Sequence, residues 1–594
     1  MSRPPGVRNA RQRAAILILA FLVVVGGLAV VGAGGTASVH AAPSSAGTVL
    51  GVATSGGAPP SLLAPAGRPA GLAPDAPVFL PPRAPSLSSI LRAPTGAAPV
   101  AAAGADLANP TIATFSLGPL VAAVGPSNQT VVVGYTNETY LADYEESGSS
   151  GAFFADGLAA YARTANAGAS WSTGWIPNDP DWASSSDPGF GDVLWGADAV
   201  AGANGTALYA AEYAQPCAVL DLTPSDCNSS YAYAAPSGIA VARSTNGGAS
   251  WFAAVPVDNV AQYEVQSIDC DDEFQSFYVP ANLTDLASVA VSADGSVAAV
   301  SWDTIAYYDA LGCVNDQVVL DVSAEYDLTQ VAVSTDGGAA WGAPVTLGRL
   351  VSGPSTVAIG PAPTDAITVV FDDPENGTST TFPFAASVST DLGATWSAPA
   401  DVGPASLVHP VVNAVSDSFP VVSLPELAED TDLASPYVGT LYLVWADNRT
   451  AADGDPSVAF ETGSGGGWSR SVYLTPPGGD LVYFDPAVSV APGGAVWAVY
   501  VAENVTNGGY QLLGEYSTDG GAYWTAPFAI ADGPSPAPPS GGSIGDWVGA
   551  AATSAGLYAA WTDCRSDDCA SSGVPSVDVA RSVPVALDSN VPGA

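Results

Sequence analysis

Lysine is missing from this sequence, histidine occurs only twice, and the one methionine is Met1. The 14 basic residues are all arginine and stand against 57 acidic ones, for a formal net charge of −43 at neutral pH. A phosphate backbone meets repulsion nearly everywhere on such a surface, which excludes nucleic acid as a partner. His40 and His409 leave no material for a histidine zinc site or for Ser-His-Asp hydrolysis. Beyond residue 110 no amphipathic helical period stands out, so a helical bundle is excluded as well. The glycine run "GSGGG" at 463–467 opens no helix and makes no phosphate loop, so no cofactor is expected. Acidic loops "DCDDEF" (269–274) and "DGDP" (453–456) carry oxygen ligands that suit Ca²⁺, without the 12-residue spacing of a known calcium loop.

Charge of either sign is also scarce, at 12% of residues, against about 25% in an ordinary soluble protein. This is not the crowded acidic coat of a salt-adapted protein. It fits a polar, uncharged exterior that tolerates acid, with the expectation that the fold persists at pH 3.

What is present begins with four arginines (Arg3, Arg8, Arg11, Arg13) before the apolar run at 14–34. A run of about 20 residues serves either as a secretory core or as one membrane anchor. Val39-His40-Ala41 suits cleavage, and the arginines place everything downstream outside the cytoplasm. Residues 1–41 are thus a signal peptide or anchor, and the membrane is a partner only through that segment if it is uncleaved. The six cysteines are even in number and fall into plausible pairs: Cys217 with Cys227, Cys270 with Cys313, Cys564 with Cys569. Outside the cell these read as disulfides, although spacing leaves the connectivity open. Asn-X-Ser/Thr sequons at Asn128, Asn137, Asn204, Asn228, Asn282, Asn376, Asn448 and Asn504 fit a glycosylated, extracellular body.

Residues 42–110 are rich in Ala, Pro, Gly and Ser and read as a flexible, disordered linker. From Thr111 short runs of Val, Ala, Tyr and Trp alternate with turn residues, the pattern of many short strands. Seven copies of a strand, a tight turn and a more aromatic strand start at residues 121, 198, 289, 357, 421, 488 and 551. Six are followed by a polar turn ending in tryptophan: "TANAGASW" (164), "STNGGASW" (244), "STDGGAAW" (334), "STDLGATW" (389), a degraded "ETGSGGGW" (461) and "STDGGAYW" (517). The span 111–587 divides into seven units of about 68 residues, too short for tandem sandwiches of about 100. Four strands per unit predict an all-β, seven-bladed β-propeller of antiparallel blades, with six blades and an extra strand pair as the alternative. Residues 588–594 are a short tail.

In the repeated turn Asp336 is placed to accept backbone N–H groups, and Gly337 and Gly338 supply positive φ. Ser334 adds a hydroxyl, and Trp341 buries an indole under the hairpin. Asp391 with Trp396 and Asp519 with Trp524 repeat the scheme; Asn166 with Trp171 and Asn246 with Trp251 keep it with an amide. Gly463 replaces the acid ahead of Trp468, where a looser turn is expected. These carboxylates are structural, not catalytic.

The turns resemble the Asp-box, or bacterial neuraminidase, repeats of the sialidase superfamily, with Ser334, Asp336, Gly338 and Trp341 matching S/T-x-D-x-G-x-x-W. The resemblance implies a propeller with the boxes between third and fourth strands, opposite the substrate face. It directs attention to the ends of the second strands: Asp303, Asp372, Asp447, Glu503 and Asp563. Two ends continue into "WADNR" and "WTDCR", so Arg449 and Arg565, with Arg349, are candidates to hold an acidic ligand in a central funnel by bidentate hydrogen bonds. The bland alternative is that Asp447 and Asp563 simply hold those arginines in place. True sialidases use an arginine triad and a tyrosine–glutamate nucleophile. Their Phe/Tyr-Arg-Ile-Pro motif has no counterpart, since 111–162 contains no arginine, and no catalytic residue is assigned. The expected partner is a glycan or another surface ligand. The alternatives are an exo-α-sialidase-type hydrolase and a non-catalytic scaffold.

Overall fold

The computed structural model describes Val78–Phe79 and most of residues 111–582; the main internal stretches outside the description are 138–157, 178–192, 215–237, 267–275, 373–381, 408–423 and 448–455. The described chain is all-β and forms seven four-stranded antiparallel blades. Counted outward from the axis, blade 1 is Ser116–Ala123, Val131–Asn137, Leu158–Thr164 and Ser172–Trp175. Blade 2 is Val193–Ala203, Thr206–Ala214, Gly238–Ser244 and Val255–Pro256. Blade 3 is Asn282–Val291, Ala298–Val314, Gln317–Ser334 and Val345–Arg349. Blade 4 is Ser355–Ile359, Ile367–Asp372, Phe382–Ser389 and Ala400–Leu407. Blade 5 is Glu426–Glu429, Leu441–Asp447, Ser457–Ser464 and Val472–Tyr473. Blade 6 is Leu481–Val490, Val496–Asn504, Tyr510–Ser517 and Phe528–Ala529.

Blade 7 takes three strands from the C-terminal end, Gly549–Thr553, Gly556–Asp563 and Ser576–Ser582. Its outermost strand is Thr111–Thr114, with Thr111 opposite Asp578 and Ala113 opposite Val577. This explains why the seventh hairpin has no box behind it. Its fourth strand comes from the other end of the domain, so no third-to-fourth turn is needed. The six-blade alternative falls with the same observation.

The core lies between blades. Seven apolar clusters occupy the seven interfaces, from blades 1 and 2 round to blades 7 and 1. Both faces of a central strand are therefore covered, and the second strands of blades 4, 5 and 7 are buried from end to end. That is why their sequences read as unbroken apolar runs and not as an alternation. Trp302, Trp445 and Trp561 each sit in such a seam at 2% exposure or less.

The repeated turns form as the residues dictate. The N–H groups of Ala339 and Ala340 donate to Asp336 Oδ1 at 3.0 and 2.9 Å, and the Ser334 hydroxyl donates to the same oxygen at 2.8 Å. Asn166 and Asn246 accept from Ser170 and Ser250 N–H in the same way. The degraded copy differs from the looser turn expected of it: Gly463 pairs with Trp468 and Ser464 with Gly467 in a continuing ladder. Without a carboxylate the strands themselves carry the connection. A Cβ on Gly463 would stand 2.9 Å from the Trp468 ring, so glycine admits the indole.

A second role of the turn emerges only in three dimensions. Its second glycine presses on the preceding blade: Gly338 on Leu208, Gly393 on Val333, Gly521 on Phe460. A third-strand arginine crosses one of these seams: Arg163 Nε of blade 1 donates to Gly247 O in the turn of blade 2 at 2.5 Å. Within blade 7 the Arg581 guanidinium lies 5.8 Å from the ring centroid of Tyr558, its partner across the strand pair. Each turn thus closes its own hairpin and clips one blade to the next.

Three further features were not anticipated. Val78–Phe79, inside the linker, pairs in parallel with Val472–Tyr473 at the rim of blade 5. The two middle strands of blade 3 run on as a long hairpin to Val314 and Gln317. Gln262–Gln266 and Ser276–Pro280 form a separate two-stranded sheet. Cys564 and Cys569 are disulfide-bonded; Cys217, Cys227 and Cys270 and the side chain of Cys313 lie outside the described residues.

The turn glycines yield a graded prediction. Gly521 has φ of +90°, and an added Cβ would fall 2.6 Å from the Phe460 ring, whereas Gly205 has φ of +85° and open space around it. Gly205→Ala should cost about 1 kcal/mol from backbone strain. Gly521→Ala should cost about 2–4 kcal/mol because overpacking adds to strain. Denaturant unfolding of the two variants measures the difference, and equal losses would contradict the clip.

Candidate functional site

The ring encloses an axial cavity of about 160 Å³, lined by the innermost strands or their leading residues from all seven blades. In blades 4, 5 and 7 the lining falls where the innermost strand begins, which is the face opposite the repeated turns. Four innermost strands are bulged there, between Leu117 and Leu120, Trp195 and Ala199, Asp285 and Ser288, and Phe484 and Ala487. A bulge adds a residue and re-aims its neighbours. Positive φ at Gly118, Leu286 and Asp485 accompanies three of them. The phrases "GP" at 118 and "DP" at 485 are the sequence trace of this feature, and sequence reading passed over them.

Glu426 is the one titratable side chain in the lining. It is half-buried, and burial pushes its carboxyl up to about 7. Nothing in the repeat pattern had marked it. Hydroxyls nearby are already engaged between blades: Thr356 Oγ1 accepts Leu427 N–H at 3.2 Å and Ser288 Oγ accepts Val357 N–H at 3.2 Å.

The acids at the second-strand ends do not face the cavity. Asp303, Asp372, Asp447, Glu503 and Asp563 are all 4% exposed or less. Tyr473 Oη donates to Asp447 Oδ2 at 3.0 Å, and Thr329 Oγ1 to Asp303 Oδ1 at 3.3 Å, so these two tie outer strands to inner ones.

Arg565 turns outward. Its Nε donates to Asp563 Oδ2 at 2.7 Å, Nη2 pairs with Asp578 Oδ2 at 3.2 Å, and Nη1 pairs with Asp532. Asp578 in turn accepts from Thr111 Oγ1 at 2.7 Å on the closing strand. One guanidinium therefore joins the second and third strands of blade 7 to the exit of blade 6, and through Asp578 to the strand that shuts the ring. Arg349 ends the outermost strand of blade 3, opposite Leu328. Arg449 lies outside the described residues, as do 269–274 and 453–455 of the acidic loops. Among the described residues no group of three His, Cys, Asp or Glu is arranged to hold a metal ion, and no helix is long and apolar enough to cross a membrane.

A tyrosine–glutamate pair does exist, but sealed. Tyr500 Oη donates to Glu515 Oε1 at 2.5 Å inside blade 6, with exposures of 0% and 2%. Burial raises Glu515 to about 8. Burial also raises Glu429 to about 7, with help from Asp430, and Asp258 and Asp578 to about 6.

No protein-family model and no curated protein matches this chain. Solved structures similar to it are sialidase-like and glycoside hydrolase propellers at low similarity. A Hadza microbial sialidase is 13% identical with a TM-score of 0.37, over 65% of this chain and 63% of the sialidase, so this chain spans less than two thirds of that protein. The leech intramolecular trans-sialidase is 11% identical with a TM-score of 0.37, over 73% and 71%. A Penicillium chrysogenum alpha-L-arabinanase is 13% identical with a TM-score of 0.32, over 67% and 93%.

The carboxyl shifts fix a pH dependence. A carboxyl raised on folding contributes fully below its unfolded value, about 4, and that contribution is lost as pH rises through the folded values of about 6 to 8. The turn acids Asp294, Asp336 and Asp391 are held below the carboxylate range by hydrogen bonds within their turns, so their contribution is lost on the acid side instead. The Tm should peak between about pH 4 and 6 and fall towards pH 8.5; a Tm still rising from pH 6 to 8.5 would contradict this. Arg565→Ala leaves Asp532, Asp563 and Asp578 facing one another and should cost about 2 kcal/mol at pH 7, screened by partial exposure. Its effect should exceed that of Asp532→Ala, as read by thermal unfolding.

Proposed function

We propose that this protein is an extracellular, sialidase-like propeller that recognises a glycan or another surface ligand on the face opposite its repeated turns. The carrying observation is the bulged axial mouth on that face, the end at which each second strand finishes and each first strand begins. A propeller places its most variable segments around that mouth, on a scaffold rigid enough to hold them. Arg349 and Arg449 supply the anion contacts in this reading, while Asp447, Asp563 and Arg565 hold the framework. The arginine-flanked apolar run and the disulfide between Cys564 and Cys569 support a location outside the cell.

The second reading is an exo-glycosidase of the sialidase type, favoured by the repeated-turn resemblance. Against it stand the absent early arginine motif and the sealing of the Tyr500–Glu515 pair.

One experiment separates the two. The purified 111–587 body is screened on a glycan array and offered a fluorogenic sialoside. Recognition predicts saturable glycan binding, weakened tenfold or more by Arg449→Ala, with no turnover. Turnover lost in Arg449→Ala would establish the hydrolase, and an array without hits would leave a scaffold.

A further inference from the structure

The lining of the axial cavity contains one titratable side chain, and no counter-ion for it stands among the described residues. Glu426 begins the innermost strand of blade 5, and its carboxyl has neither an ion pair nor a hydrogen bond among the described residues. The lining mixes alkyl groups of Leu120, Ala199 and Ala487 with the hydroxyls of Ser288, Ser355 and Thr356. Arg565 is not among the lining residues and is committed to Asp532, Asp563 and Asp578. A carboxylate in such surroundings is costly unless a cation joins it.

Size and field narrow the choice of cation. The 160 Å³ of this cavity is close to the ~150 Å³ that accommodates a benzene-sized guest. A bare divalent ion demands about six to eight oxygen ligands; the lining offers one carboxylate and three hydroxyls that are already hydrogen-bonded between blades. Trp547 is also in the lining, and indoles attract ammonium groups. A net charge of −43 without lysine draws cations from solution towards any cleft.

We infer that the axial cavity binds a small organic ammonium ion of about six or seven heavy atoms, with Glu426 as its counter-ion. Glycan contacts belong to the loops around the rim, so failure of either reading leaves the other standing.

Calorimetry on the full chain, with cyclohexylammonium against the neutral isostere cyclohexanol, tests the inference. The ammonium should bind saturably at pH 8, at least tenfold tighter than the alcohol. Its affinity should weaken as the pH falls from 8 to 6, because Glu426 takes up a proton while the amine, with a pKa near that of lysine at about 10, stays charged. Glu426→Gln, which keeps the shape, should lose tenfold or more. Ala487→Leu, which fills the cavity and leaves the carboxyl in place, should lose binding as well and guards against a misfolded first variant. Equal binding of alcohol and ammonium, undiminished binding in Glu426→Gln, or no saturable binding at pH 8 would overturn it.

Discussion

Burial of both faces of every blade is the constraint from which the rest of the molecule follows. A four-stranded sheet with one apolar face can rest on a helix or a second sheet. A sheet with two apolar faces needs a neighbour on each side, and a row of such sheets always leaves two faces bare. Closing the row into a ring removes them. The seven seams, with Trp302, Trp445 and Trp561 sealed inside three of them, are that solution. Truncating one such indole removes roughly 3–5 kcal/mol of packing, a large part of the net stability of a domain.

Closure also sets the two faces of the ring apart. Strand direction sends every repeated turn to one face, where Asp or Asn closes a hairpin and a glycine clips it to the preceding blade. The second strands end, and the first strands begin, at the other face. Scarcity of positive charge shapes the interior as well. Seven arginines and no lysine lie between 111 and 587. Hydroxyls serve some of the buried carboxyls, Tyr473 for Asp447 and Tyr500 for Glu515. Arg565 is spent on the seam that closes the ring.

The repeats made the blade count legible because a local phrase dictates a local turn. Hairpin starts at 121, 198, 289, 357, 421, 488 and 551 correspond one to one with the seven blades. What escaped was whatever depends on a partner distant in sequence. Gly338 looked like a source of positive φ, and nothing near it announced Leu208. The acids at the second-strand ends looked like a ring around a funnel. Their side chains are buried, two of them bonded to neighbouring strands, and the described lining of the cavity comes from other residues. Glu426 stands inside the hairpin copy that starts at 421, where nothing in the phrase singles it out, and the topology delivers it to the axis.

The ring is shut by the meeting of residues 111–114 with 576–582. Ala113 and Val577 stand opposite each other in that antiparallel pair. The most direct measurement is oxidation of the Ala113→Cys/Val577→Cys double variant, followed by mass spectrometry and thermal unfolding. A closed seven-bladed ring predicts a spontaneous cross-link between these two cysteines and a higher Tm than in the reduced form. Cysteines that stay free, or a cross-link that lowers the Tm, would mean that the two ends do not share a blade.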